Sequence, residues 1–122
     1  MEGIKRKQIR YADLGTNKGR RQNGKRPVLI IQNDMGNKYS PTTLVVPLTT
    51  NTKDNYPFHV KLSSAIYNLK ADSTVMCEQV TVLDKSDIFD CLDEVSDLHM
   101  RKIEEAIRIS LGMEGEDDRA TS

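Results

Sequence analysis

The chain predicts a mainly β protein with short helices: a small barrel closed by a C-terminal helix. Three observations carry this. Short runs of apolar and β-branched residues recur through the chain, polar loops rich in Gly, Asn, Ser and Pro separate them, and only the last element shows a sustained helical period. At 122 residues the chain fits one domain, expected over 1–112, followed by an acidic tail over 113–122 expected to be disordered.

Taken in order, Lys5–Leu14 alternates apolar Ile9 and Tyr11 with polar neighbours, which suits a strand with one solvated face. Gly15–Lys25 is a polar loop carrying Lys18, Arg20, Arg21 and Lys25. Pro27–Ile31 reads as a strand, Asp34–Pro41 as a turn by composition, and Thr43–Thr49 as the next strand. Pro47 cannot donate to a ladder, so a bulge or an edge is expected there. Asn51–Asn55 is a second polar loop, and Tyr56–Leu62 a strand initiated by Pro57. Ser63–Leu69 suits one short helical turn capped at Ser63 or Ser64. Thr74–Leu83 is the longest strand candidate, interrupted by Glu78 and Gln79, and Ser86–Asp90 suggests a brief helix. The final helix, Asp97–Leu111, has Ser96 as its cap and Gly112 past its end; Met100, Ile103, Ile107 and Leu111 form its apolar stripe, with Glu104, Glu105 and Arg108 opposite.

Composition narrows function. The net charge is zero, yet residues 1–60 hold 11 Lys/Arg against 4 Asp/Glu and residues 61–122 hold 7 against 14. A basic region that survives folding attracts a polyanion; intermixing of the halves would erase it. No apolar run approaches a membrane span, and Met1–Arg10 lacks a signal-like apolar region, so a cytoplasmic protein without a membrane partner is expected. Cys77 and Cys91 lack CxxC spacing and partner histidines at metal-binding intervals; neither a metal nor a cofactor is expected. Gly19 and Gly24-Lys25 imitate a phosphate loop, but Arg26 replaces the magnesium-binding hydroxyl and a strand follows instead of a helix.

The sharpest candidate is a pair. If the strands after Lys25 and before Thr50 run antiparallel, Arg26 at the start of one lies beside Thr49 at the end of the other. A guanidinium beside a hydroxyl suits a phosphate ester passing through a charge-building transition state. The plainer alternative is a solvated strand-edge charge and an ordinary β-branched residue. Tyr56, flanking Pro57, could stack on a base, whereas Phe58 is expected to plug the core.

Further residues carry a resemblance. Ala12-Asp13-Leu14, the run Gln22-x-Gly24-x-Arg26-Pro27-Val28-Leu29-Ile30-Ile31-Gln32-Asn33-Asp34-x-Gly36-Asn37-Lys38-x-Ser40-Pro41-Thr42, Pro57-x-His59-Val60, Asp72-Ser73, Glu78-Gln79 and Asp84-Lys85 follow in order at nearly constant spacing. Over roughly residues 5–112 the chain resembles the MazF/PemK toxins of toxin–antitoxin systems, particularly those of Gram-positive bacteria. The resemblance implies a plasmid-maintenance-toxin fold like an SH3 barrel, a homodimer, and a MazE-like antitoxin whose peptide covers the RNA surface. It also implies a metal-independent endoribonuclease that cuts single-stranded RNA at short motifs. By position Arg26 and Thr49 match the family's catalytic pair. Lys18, Arg20, Arg21, Gln22, Lys25, Tyr56, Pro57 and Gln79 are the candidate RNA contacts. Three departures stand out: Lys7-Gln8 where relatives usually have Gly-Asp, Arg21 where they often have an acid, and Arg10 in place of a usual aromatic. Two rivals are a non-cleaving relative that binds RNA or antitoxin, and a gyrase poison of the CcdB type on the same fold, which would not need the Arg26/Thr49 pair.

Overall fold

A computed structural model describes residues 3–16, 19, 22–50 and 56–113. Seven strands and two helices follow one another: β1 (Gln8–Asp13), β2 (Lys25–Ile30), α1 (Asp34–Tyr39), β3 (Thr42–Thr49), β4 (His59–Leu62), β5 (Ser73–Met76), β6 (Thr81–Asp84), β7 (Ile88–Glu94) and α2 (Asp97–Ser110). All strand pairs are antiparallel, in the order β4-β5-β3-β2-β1-β7, with β6 also on β3. The terminal strands β4 and β7 are not neighbours, so the sheet is open rather than closed by pairing. The mainly β class with a C-terminal helix is as expected.

β3 explains the sheet. One of its edges pairs with β2; along the other, Thr42–Val45 face Asp84–Thr81 of β6 and Leu48–Thr49 face Val75–Thr74 of β5. Pro47 sits in the gap where the partner changes, a position at which a missing N–H leaves no ladder bond unmade. Two apolar layers result. Ile9, Leu29, Val46, Leu48, Leu62 and Val75 pack with Met100, Ile103 and Ala106 of α2; Ala12, Val28, Ile30, Val45, Leu83 and Ile88 form the second layer.

Four elements differ from expectation. The run Thr74–Leu83 is two strands, because Glu78 and Gln79 occupy a turn closed by Gln79 N–H donating to the Met76 carbonyl at 2.9 Å. Asp34–Tyr39 is a short helix rather than a turn: Asn33 Oδ1 accepts from Gly36 N–H and supplies its N-cap. Only a single 3-10 turn forms at Lys85–Asp87, and the chain continues into β7, whose exposed Phe89, Asp90 and Cys91 suit an edge strand. Ser63–Leu69 is a turn with helix-like bonds from Ile66 and Tyr67 N–H to the Ser63 carbonyl. In α2 the Ser96 cap is as expected, but Ala106 is buried on the packed side while Leu111 is exposed. Lys7 adopts φ 80°, a left-handed conformation usually left to glycine, and is held by its N–H to the Ile30 carbonyl and its carbonyl to Val95 N–H.

Candidate active site

β1 and β2 are joined by a loop whose stem is closed by Leu14 N–H to the Gly24 carbonyl (3.0 Å) and Gly24 N–H to the Gly15 carbonyl (2.8 Å). Gly24 takes φ 73°, which a residue without Cβ adopts freely, and so delivers Lys25 and Arg26 into the start of β2. The β2–β3 register pairs Val28 with Pro47; continued two residues, it sets Arg26 opposite Thr49. On its other side Thr49 pairs with Thr74 of β5, which holds the hydroxyl-bearing residue from that flank.

Arg26 and Thr49 line one groove of about 480 Å³. Arg26 Nε donates to the Asn23 carbonyl at 3.0 Å, orienting a half-buried guanidinium whose Nη atoms are separate donors. Tyr11, Thr50, Asn68, Lys70 and Ser73 add polar groups to the same wall. Lys25, Arg26 and Lys70 make three cations among the lining residues, and among the described residues no Asp, Glu, His or Cys lines the groove to neutralise them or to hold a divalent cation. Lys70 carried no signal in the sequence; the pairing of β5 with β3 beside Thr49 brings its turn to the groove.

Of the other sequence candidates that the structure describes, Lys25 lines this groove and Gln22, Tyr56, Pro57 and Gln79 do not. Lys18, Arg20 and Arg21 fall outside the described residues. Gln22 N–H donates to Gln79 Oε1 at 2.9 Å, and the two line a second cavity of about 370 Å³ with Pro47 and Glu78. Lys25 reaches the groove, its Nζ 5.9 Å from the Phe89 ring centroid. Tyr56 is exposed and stacks on Phe58 (4.9 Å, 7°), so Phe58 is half-buried against Tyr56 and His59 instead of plugging the core. Pro57 lies in a third cavity beside α2, with His59 and Arg101. Neither histidine lines the groove: His59 Nε2 meets Glu78 Oε2 at 3.2 Å, and His99 Nδ1 meets the Tyr67 hydroxyl at 2.6 Å. Burial pushes the Cys77 thiol up to about 12, which makes it inert, and Cys91 is exposed; both are free. Among the described residues, no group of three His, Cys, Asp or Glu is placed to hold a metal ion.

Sheet order, capping helix and groove together define a known class. Residues 5–111 match the family described as the PemK-like, MazF-like toxin of type II toxin–antitoxin systems, and the chain belongs to that family. Among its relatives is the endoribonuclease EndoA of Bacillus subtilis, 39% identical over 90% of this chain and 96% of that protein. Another is the endoribonuclease MazF of Staphylococcus saprophyticus, 42% identical over 90% of this chain and 92% of that protein. Among solved structures, a mycobacterial endoribonuclease in complex with its cognate antitoxin is similar at a TM-score of 0.76 and 28% identity, over 92% of this chain and 98% of that one. MazF of Deinococcus radiodurans shares the fold at a TM-score of 0.79, over 93% and 100% of the two chains at 22% identity.

Proposed function

We propose that this chain is an endoribonuclease toxin that cleaves single-stranded RNA, acts in the cytoplasm as a homodimer, and is silenced by a MazE-like antitoxin. One observation supports this above the others: Arg26 and Thr49, set opposite by continuing the β2–β3 register, line one groove that among the described residues carries three cations and no carboxylate. Such a wall attracts a phosphodiester and offers it donors where negative charge accumulates.

In the proposed step the ribose 2′-oxygen attacks the adjacent phosphorus. The new P–O2′ bond forms as the P–O5′ bond breaks, leaving a 2′,3′-cyclic phosphate on one fragment and a 5′-hydroxyl on the other. The proton lost from O2′ is matched by one gained at O5′. Arg26 remains protonated throughout; it neutralises the phosphorane oxygens and the departing O5′, while Thr49 donates to a non-bridging oxygen. Among the described residues the groove offers no carboxylate, imidazole or thiol to a divalent cation, and the proposed step draws its charge stabilisation from Arg26 and Thr49. The same wall, covered by an acidic or extended antitoxin segment, would no longer admit RNA. A gyrase poison has no use for this pair, and family membership together with the groove favours RNA.

The test is cleavage of a long single-stranded RNA in EDTA with mapping of the fragment ends. Cyclic phosphate and 5′-hydroxyl termini are expected, and Arg26→Ala is expected to lower the rate by at least about 10²-fold, the size of losing a transition-state donor. Undiminished cleavage by that variant would move the site elsewhere.

A further inference from the structure

Arg10 is a buried cation without a buried anion. It is 5% exposed, its Nε donates to the Phe89 carbonyl at 2.9 Å and its Nη1 to Gln8 Oε1 at 2.9 Å, both neutral oxygens. Among the described residues it makes no ion pair. The one fully enclosed side-chain N or O atom without a partner among those residues is His59 Nδ1, so Arg10 Nη2 is not sealed in. Arg10 lines a cavity of about 520 Å³ together with Lys5, Lys38, Lys85, Asn37 and Asp34.

The charge count of that cavity is lopsided. Four cations face one carboxylate, and Asp34 Oδ1 already accepts from Arg6 N–H (2.7 Å) and Asn37 Nδ2 (3.3 Å). Lys85 Nζ donates to the Asn37 carbonyl, and Lys38 Nζ lies 5.3 Å from the Tyr39 ring centroid, so neither spends its charge on a carboxylate among the described residues. A desolvated guanidinium answered only by neutral oxygens is costly unless an anion completes it. Guanidinium and ammonium side chains lining one hollow match phosphoryl oxygens in charge, and the guanidinium does so in fork geometry.

We propose that this cavity is a binding site for a small phosphorylated solute of the pyrophosphate class, distinct from the RNA groove. The two cavities share no lining residue. Adjacent in β1, Arg10 and Tyr11 project to opposite faces of the strand, one into each hollow. The volume lies within the usual range for small-ligand pockets and accommodates a diphosphate with its first waters.

Calorimetric titration of the full chain with sodium pyrophosphate, at ionic strength held constant with chloride, tests the site. Saturable binding is expected, at least about tenfold weaker in Arg10→Met and about threefold weaker in the exposed-residue variant Lys38→Gln, with Arg26→Ala unchanged. Lys5→Gln/Lys38→Gln gives the same readout should Arg10→Met fail to fold. Binding no stronger than that of chloride, binding that survives both the Arg10 and the double-lysine changes, or loss of binding in Arg26→Ala would overturn the proposal. So would displacement of pyrophosphate by a ten-residue single-stranded RNA, since the anion would then be the RNA backbone. These outcomes leave the cleavage reading untouched, because cleavage is read separately at Arg26 and Thr49.

Discussion

At Thr49 the claim rests on a single hydroxyl. The residue is 7% exposed and paired with Thr74 of β5, so Thr49→Val preserves volume and strand preference while deleting the donor. A hydrogen bond to a charged oxygen is worth about 1.5–3 kcal/mol, which predicts a fall in kcat of roughly 10- to 100-fold with KM little changed. Steady-state cleavage of a short fluorogenic RNA reads both constants. Lys7 poses the opposite question, since its backbone and not its side chain is unusual. At φ 80° a Cβ costs about 1–2 kcal/mol. Both Lys7→Ala and Lys7→Gly lose the ion pair with Asp97, so their difference isolates the backbone. The Gly variant is expected to be more stable than the Ala variant by about 1 kcal/mol in urea unfolding. The resemblance that places glycine here in relatives agrees with this geometry.

Among the elements, α2 was the most legible and β7 the least. Ser96 accepts from His99 N–H at 3.1 Å, and the buried Met100, Ile103 and Ala106 hold one face against the sheet. Ser96 Oγ also meets the Tyr67 hydroxyl at 3.2 Å. Ser96→Ala is therefore expected to cost about 1–2 kcal/mol, measured by thermal or urea unfolding, at the upper end of the range for an N-cap. β1, β2 and β3 could be read because their alternation and apolar runs are strong, and the register of β2 on β3 brings Arg26 beside Thr49 as their strand ends suggested. β7 was hidden because Asp90, Cys91 and Asp93 break any apolar alternation, and an edge strand needs little of it. α1 is a turn and a half long, built from residues that also favour turns; Asn33 capping decides between them. Lys70 and Arg10 illustrate what a linear reading omits. Each owes its surroundings to partners distant in the chain, Thr49 for one and Phe89 for the other.

For the whole molecule, folding partly intermixes the basic and acidic halves. Arg6 pairs with Glu104 at 2.7 Å and Lys7 with Asp97 at 2.5 Å, fastening the basic N-terminal segment to the acidic C-terminal helix. The groove keeps Lys25, Arg26 and Lys70 with no lining carboxylate among the described residues, so the asymmetry persists there where a polyanion would bind. Among the described residues three carboxyls are held below their ordinary value: Asp34 chiefly by the Arg6 N–H, Asp72 by the Ser64 N–H and hydroxyl, and Asp97 by its bond to Lys7. A depressed carboxyl contributes its stability above the unfolded value of 3.8 and loses it as pH falls through the lower folded value. The thermal midpoint is thus expected to be nearly flat in this respect from pH 7 to about 5 and to drop below about 4. Asp34→Asn should be less stable at neutral pH and show a shallower acid decline; an identical slope would remove Asp34 from the account.

β3 is bonded to three other strands at once, and Thr49 is its last residue. The hydroxyl proposed to act on RNA therefore hangs from the sheet's common spine, and disarming it by bending that spine would disturb three strand pairings together. Whatever keeps such a toxin quiet must work as a cover laid over intact machinery, and lifting that cover restores full competence with no refolding delay.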